Sequence, residues 1–159
     1  MKTFLILAMA VALAKAQSTD EITNLVQFGN LVMCLGNIGY TEGLEYDGYG
    51  CFCGKGGKGT PVDATDRCCE VHDNCYGQAV EEGKCWSVET YGTTYWYDQS
   101  TSSGSCSIRC WEEGDYNSLV PSKACKAAIC ECDRKAAQCF ADNRPTFNRK
   151  YLNYAKDTC

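Results

Sequence analysis

Fourteen of the 159 residues are cysteine. That is about 9% of the chain, a density typical of short secreted proteins built on disulfides. The count is even, so full pairing is possible. The spacing adds geometry. Cys68 and Cys75 lie seven apart, as do Cys132 and Cys139. Seven residues is about two helical turns, so each pair shares one helix face. Two antiparallel helices can then be stapled twice, as Cys68–Cys139 and Cys75–Cys132. Cys69 and Cys130 point elsewhere and can hold a neighbouring loop and hairpin. Spacing alone leaves the remaining connectivity open.

The N-terminus fits an oxidising compartment. Lys2 precedes an uninterrupted apolar run, Phe4 to Ala14, and Ala14-Lys15-Ala16 is an A-x-A cleavage site. The run is too short to cross a bilayer, so residues 1–16 read as a secretory signal peptide. Removing them removes two lysines and no acid, leaving 13 basic against 20 acidic residues, a net charge of −7. This balance excludes binding to nucleic acid by phosphate neutralisation. A hydrophobic content of 45% with 18 aromatic side chains excludes disorder. The length predicts one domain.

Residues 17–23 are polar and read as a short pro-segment or linker. From Asn24, Leu25, Phe28, Leu31 and Val32 recur at helical spacing, with Thr23 or Asn24 as cap. Tyr46 to Gly59 holds six glycines, which predicts a loop of unusual backbone angles or one laid bare to a ligand. Thr60-Pro61 predicts the start of a helix that stops near Gly83. Trp86 to Cys110 predicts a β-hairpin, with its polar turn between Asp98 and Ser105. Ser122 is expected to cap a second long helix over 123–141, and the tail from Asp142 to Cys159 to be irregular.

His72 is the only histidine. A lone histidine is ordinarily a surface or satisfied core residue, but this one lies between two stapling cysteines, with Asp73 next to it. Asp133 follows Cys132, so the staple should bring it across to the His72 turn. A carboxylate on one imidazole nitrogen fixes the tautomer and leaves the other as a base. The glycine loop lacks the G-K-[ST] ending of a phosphate loop and has no EF-hand spacing. Phe52, Gly54 and Gly56 alternate, so their carbonyls can converge, and Asp73 can add a carboxylate. Oxygen ligands of this kind suit calcium. One histidine and paired cysteines leave no zinc ligand set.

Residues 49–76, YGCFCGKGGKGTPVDATDRCCEVHDNCY, resemble the calcium loop and active-site helix of secreted phospholipase A2. CECDRKAAQCF (130–140) resembles that family's second active-site helix, and NLVQFGNLVMC (24–34) its N-terminal helix. The resemblance is to the seven-disulfide pancreatic and elapid-venom branch and covers residues 24–159. It implies a mainly α fold: an N-terminal helix, a calcium-binding loop, two long antiparallel disulfide-linked helices and a small β-hairpin. It implies His72 as base, Asp133 behind it, and Tyr76 and Tyr95 hydrogen-bonding to Asp133. Tyr91 would contact the substrate phosphate. One Ca2+ per chain would take the carbonyls of Phe52, Gly54 and Gly56 and the carboxylate of Asp73, and the Gly54 N–H would bind the oxyanion. The implied pairs are Cys34–Cys106, Cys51–Cys159, Cys53–Cys69, Cys68–Cys139, Cys75–Cys132, Cys85–Cys125 and Cys110–Cys130. Phe52 stands where tyrosine is commoner, and the segments QSTSSGS and WEEGDYNSLVPSKA are longer than usual.

The expected activity is calcium-dependent hydrolysis of the sn-2 ester of a glycerophospholipid, giving a lysophospholipid and a fatty acid. The setting is secreted and extracellular, in venom, a stinging organelle or digestive fluid; both roles use this chemistry. The alternative is a non-catalytic toxin or receptor ligand on the same scaffold, against which His72, Asp73 and Asp133 weigh. The partner is a phospholipid membrane or micelle, approached peripherally by a monomer, with no nucleic acid. Leu25, Val26, Leu31, Trp86, Trp96 and Trp111 are the candidate lipid contacts. The acidic balance favours zwitterionic surfaces. The cleavage site predicts a chain beginning at Gln17, whereas the resemblance implies Asn24, with its free amine tucked into the fold.

Overall fold

The computed structural model describes residues 24–159. The signal-peptide and pro-segment expectations and the Thr23 cap lie outside it. Helix α1 runs over 24–36. Its inward face places Leu31 and Val32 in the core, while Leu25 and Val26 stand 63% and 55% exposed. Leu31 is therefore no lipid contact, a correction that follows from the helical period: six positions past Leu25 is a rotation of about 120°, which carries it onto the inward face. Trp86 and Trp96 are exposed. Trp111 is half-buried, packed edge-on against Trp96 at 5.0 Å.

A short helix, α2 (Tyr40–Leu44), leads into the glycine loop. Helix α3 is Ala64–Glu81, so Thr60-Pro61 does not start it. Asp63 is the N-cap, its Oδ1 accepting from the Asp66 N–H at 2.9 Å. A carboxylate at this position satisfies an orphan donor, which residues 60–61, still in the loop, cannot do. Gly83, in the left-handed region at φ 71°, follows the end of α3 as a stop.

The hairpin pairs β1 (Tyr97–Ser102) with β2 (Ser105–Cys110). Its turn is only Ser103-Gly104, both at positive φ, the two-residue geometry that matches strand twist. Asp98 and Ser100, expected in the turn, are ladder residues: Asp98 is ion-paired with Arg109 at 2.6 Å, and Ser100 bonds Ser107 at 2.7 Å.

Helix α4 is Lys123–Asp142. Ser122 occupies its N-cap position but does not cap it. Its φ is 51°, and its hydroxyl donates instead to Glu89 Oε1 at 2.7 Å. The tail folds into three 3-10 turns, Arg144–Thr146, Arg149–Tyr151 and Lys156–Thr158.

Helices α3 and α4 lie antiparallel, joined by Cys68–Cys139 and Cys75–Cys132. The other bonds are Cys34–Cys106, Cys51–Cys159, Cys53–Cys69, Cys85–Cys125 and Cys110–Cys130, and no described cysteine is free. Cys51–Cys159 spans 108 residues and contributes about 4–5 kcal/mol in the chain-entropy picture. The fold class is the mainly helical one expected. Among the described residues no helix is long and apolar enough to cross a membrane.

Candidate active site

The staples set the centre of the site. His72 sits on α3 between Cys68 and Cys75, and Asp133 on α4 beside Cys132. Across the helix pair His72 Nε2 lies 2.7 Å from Asp133 Oδ1. Asp133 is fully buried, and a buried carboxylate needs donors. It has three: His72, the Tyr76 hydroxyl on Oδ1 at 2.7 Å, and the Tyr95 hydroxyl on Oδ2 at 2.6 Å. Burial, reinforced by the Asp133 charge, pushes both phenols well above the ordinary tyrosine range. They therefore stay protonated and donating. With Nε2 facing a carboxylate, its proton belongs on that nitrogen. Nδ1 makes no hydrogen bond among the described residues.

Phe28 stacks on the imidazole at 4.7 Å and 16°, so α1 closes one side of the ring. The cleft above it has a volume of about 290 Å³ and an apolar lining that includes Leu25, Val26, Phe28 and Phe52, with His72 and Asp73 at its polar end. Tyr91 stands 60% exposed, its ring 5.7 Å from that of Tyr76.

The glycine loop packs beside His72. Gly54 adopts φ 91°, where an L side chain is strained, and a Cβ there would come within 3.0 Å of Asp47 Oδ1. At Gly57 a Cβ would meet Asp73 Oδ2 at 2.9 Å and Phe52 Cα at 3.0 Å. Asp73 thus lies directly against the loop, in a cradle that only glycine leaves open. No described residue donates to its carboxylate, and burial pushes its carboxyl above the ordinary range, with His72 and Lys156 opposing. Among the described residues no three His, Cys, Asp or Glu side chains gather as a metal cluster. A cation here must draw on backbone oxygens and Asp73, a hard-donor set that fits calcium.

Two supports of the loop carry no sequence signal. Asp66 is fully buried; its Oδ2 accepts from Cys51 N at 2.8 Å and Val62 N at 2.9 Å, and its Oδ1 from Phe52 N at 2.8 Å. In the sequence Asp66 reads as an acid complementing the first turn of α3. Lys156, from the tail, donates Nζ to Cys51 O at 3.1 Å and Cys53 O at 2.9 Å.

A family model described as phospholipase A2 matches residues 25–152. The chain is 98% identical over its 159 residues to phospholipase A2 AP-PLA2-II of Acanthaster planci, and 58% identical to AP-PLA2-I of the same organism, each alignment covering both chains in full. A phospholipase A2 of Oryctolagus cuniculus is 40% identical over 155 residues, 96% of this chain and 97% of that one.

Proposed function

The chain belongs to the phospholipase A2 family, and from that premise we propose that His72, oriented by Asp133, is the general base of its reaction. It is a disulfide-bonded secreted enzyme that hydrolyses the sn-2 ester of glycerophospholipids, in a family generally dependent on calcium. The observation that carries the site reading is the 2.7 Å contact between His72 Nε2 and the buried Asp133.

In the proposed mechanism, Nδ1 of His72 takes a proton from a water whose oxygen forms a bond to the sn-2 carbonyl carbon. The carbonyl π pair moves onto oxygen, and the Gly54 N–H donates to that oxyanion; one such donor is typically worth about 3 kcal/mol. When the oxyanion collapses, the bond to the glycerol oxygen breaks and His72 returns its proton to that leaving group. A fatty acid and a lysophospholipid result, with no acyl-enzyme. Asp133 takes no proton; it holds the ring and offsets the positive charge that forms on it. Base help of this kind supplies roughly 100- to 10,000-fold. One calcium ion, held by Asp73 and the carbonyls of Phe52, Gly54 and Gly56, would polarise the ester and hold the phosphate. Tyr91 at the rim would donate to that phosphate.

Along the whole chain, residues 1–16 would be the signal peptide, 17–23 a short pro-segment or linker, and 24–159 the enzyme domain. Support for a start at Asn24 is its burial, with its side-chain amide on Thr93 O at 2.6 Å. The enzyme would act as a monomer, peripherally, with Leu25 and Val26 at the cleft mouth meeting zwitterionic lipid. Venom and digestive fluid both suit an extracellular hydrolase of this kind. A non-catalytic toxin or receptor ligand draws no support from the relatives. Fatty-acid release from phosphatidylcholine vesicles tests the reading. EGTA should stop release reversibly and His72→Gln should lower it at least about 100-fold; EGTA-resistant release or an active His72→Gln protein would sink it.

A further inference from the structure

Lys156 enters the loop from the far end of the chain, three residues before Cys159, whose disulfide to Cys51 pins the tail to the same loop. Its ammonium donates to two carbonyls, Cys51 O and Cys53 O. Neither is a proposed calcium ligand; they alternate with Phe52 and Gly54. Every described peptide bond is trans, so each carbonyl and the N–H that shares its peptide plane point in opposite directions. Pulling Cys51 O toward Lys156 therefore turns the Phe52 N–H away, where Asp66 Oδ1 accepts it at 2.8 Å. That plane is held at both ends. The plane two along, Cys53–Gly54, is held at one end only. Lys156 fixes Cys53 O, and the Gly54 N–H, facing the other way, makes no hydrogen bond among the described residues.

We propose that Lys156 is a positioning residue for the oxyanion site: by holding Cys53 O it aims the Gly54 N–H into the cleft and polarises that amide toward donation. This rests on the reading of Gly54 as oxyanion donor given above. Glycine lacks the Cβ that restricts other backbones, so a peptide ending in Gly54, at φ 91°, gains from a clamp. An ammonium on the carbonyl draws density from the amide nitrogen, and linked hydrogen bonds strengthen one another. The Lys156 ammonium also brings a positive charge into the loop, 2.9 Å from Cys53 O. Its charge therefore opposes a cation at the loop. This separates the two effects. Removing the lysine should not weaken calcium binding through charge, yet it should slow the reaction.

The test uses disulfide-intact protein carrying Lys156→Met or Lys156→Arg. In calcium-free, nitrogen-labelled protein, Lys156→Met should move the Phe52 and Gly54 amide resonances more than those of α3 and α4. Calorimetric titration gives the calcium affinity, expected within about threefold of the parent. With calcium saturating, kcat on phosphatidylcholine vesicles should fall roughly 10-fold and KM stay within twofold, as for partial loss of an oxyanion donor. Lys156→Arg, whose fork can reach two carbonyls, should recover most of the rate. If the methionine variant does not refold, Lys156→Gln, with one donor group, carries the same comparison. An unmoved Gly54 resonance, an unchanged kcat, or a rate loss abolished by excess calcium overturns the proposal. EGTA-resistant hydrolysis, or an active His72→Gln protein, would instead overturn the active-site reading itself.

Discussion

Replacing Asp133 by asparagine isolates the charge behind His72 from the hydrogen bonds around it. The carboxylate serves three donors, at 2.7, 2.7 and 2.6 Å. Asparagine can sit there in two ways. With its oxygen at the Oδ1 position it accepts from His72 and Tyr76 and donates to the Tyr95 oxygen. With the amide turned, it donates to His72 Nε2 and the Tyr76 oxygen and accepts from Tyr95. Each of the three groups keeps a partner in both, but the tyrosine that accepts from the amide loses the acceptor for its own O–H; with the desolvation cost of a buried charge relieved, stability should fall by no more than about 1–3 kcal/mol. Catalysis should not survive as well. A hydrogen bond to a charged group is worth about 1.5–3 kcal/mol against about 0.5–1.5 for a neutral one. Support for the protonated imidazole thus falls by about 1–1.5 kcal/mol, roughly 5- to 15-fold in rate. The turned arrangement places the histidine proton on Nδ1, where the base must act, and removes that fraction of molecules from the reaction. Together the expected loss in kcat is about 10- to 100-fold. The assay is fatty-acid release at saturating calcium, with calcium affinity measured by calorimetry and folding by thermal unfolding. A kcat within twofold of the parent, or a loss traced to weaker calcium binding, would refute the assignment of Asp133. Asp133→Ala should behave differently, because it strands two buried hydroxyls at about 1–3 kcal/mol each and the half-buried imidazole beside them, and should lower the melting temperature sharply.

Asp66→Asn should cost about 2–4 kcal/mol, because one amide oxygen cannot replace a carboxylate that serves three backbone N–H groups; thermal unfolding without calcium measures the loss, and calcium affinity should weaken several-fold as the loop loosens. Tyr76 and Tyr95 hold their protons far more tightly folded than unfolded. Their contribution is therefore complete below the unfolded value of about 10 and is lost as pH rises through the raised folded values. Tyrosinate absorbance should leave both silent until an alkaline unfolding step, and early, reversible ionisation of all ten tyrosines would contradict their burial on Asp133.

Much of the scaffold was legible in the sequence because it is written in local periods and covalent chemistry. Two cysteine pairs at sevenfold spacing select one face on each of two helices, and joining those faces carries His72 to Asp133 whatever the rest of the chain does. Glycine density marks the loop because only glycine accepts a backbone such as that at φ 91°. The features that only the tertiary structure decided are those in which backbone atoms meet side chains from distant segments. Asp66 on the loop's N–H groups and Lys156 on its carbonyls leave no sequence signature, since every residue but proline offers the same backbone groups. Asp63 rather than Thr60 became the cap, and Ser122 left its cap for Glu89, because polar side chains choose among partners according to where the folded chain brings them. Leu25 and Leu31 are chemically the same residue; the packing of α1 against the disulfide-linked helices made one a surface group at the cleft mouth and the other part of the core.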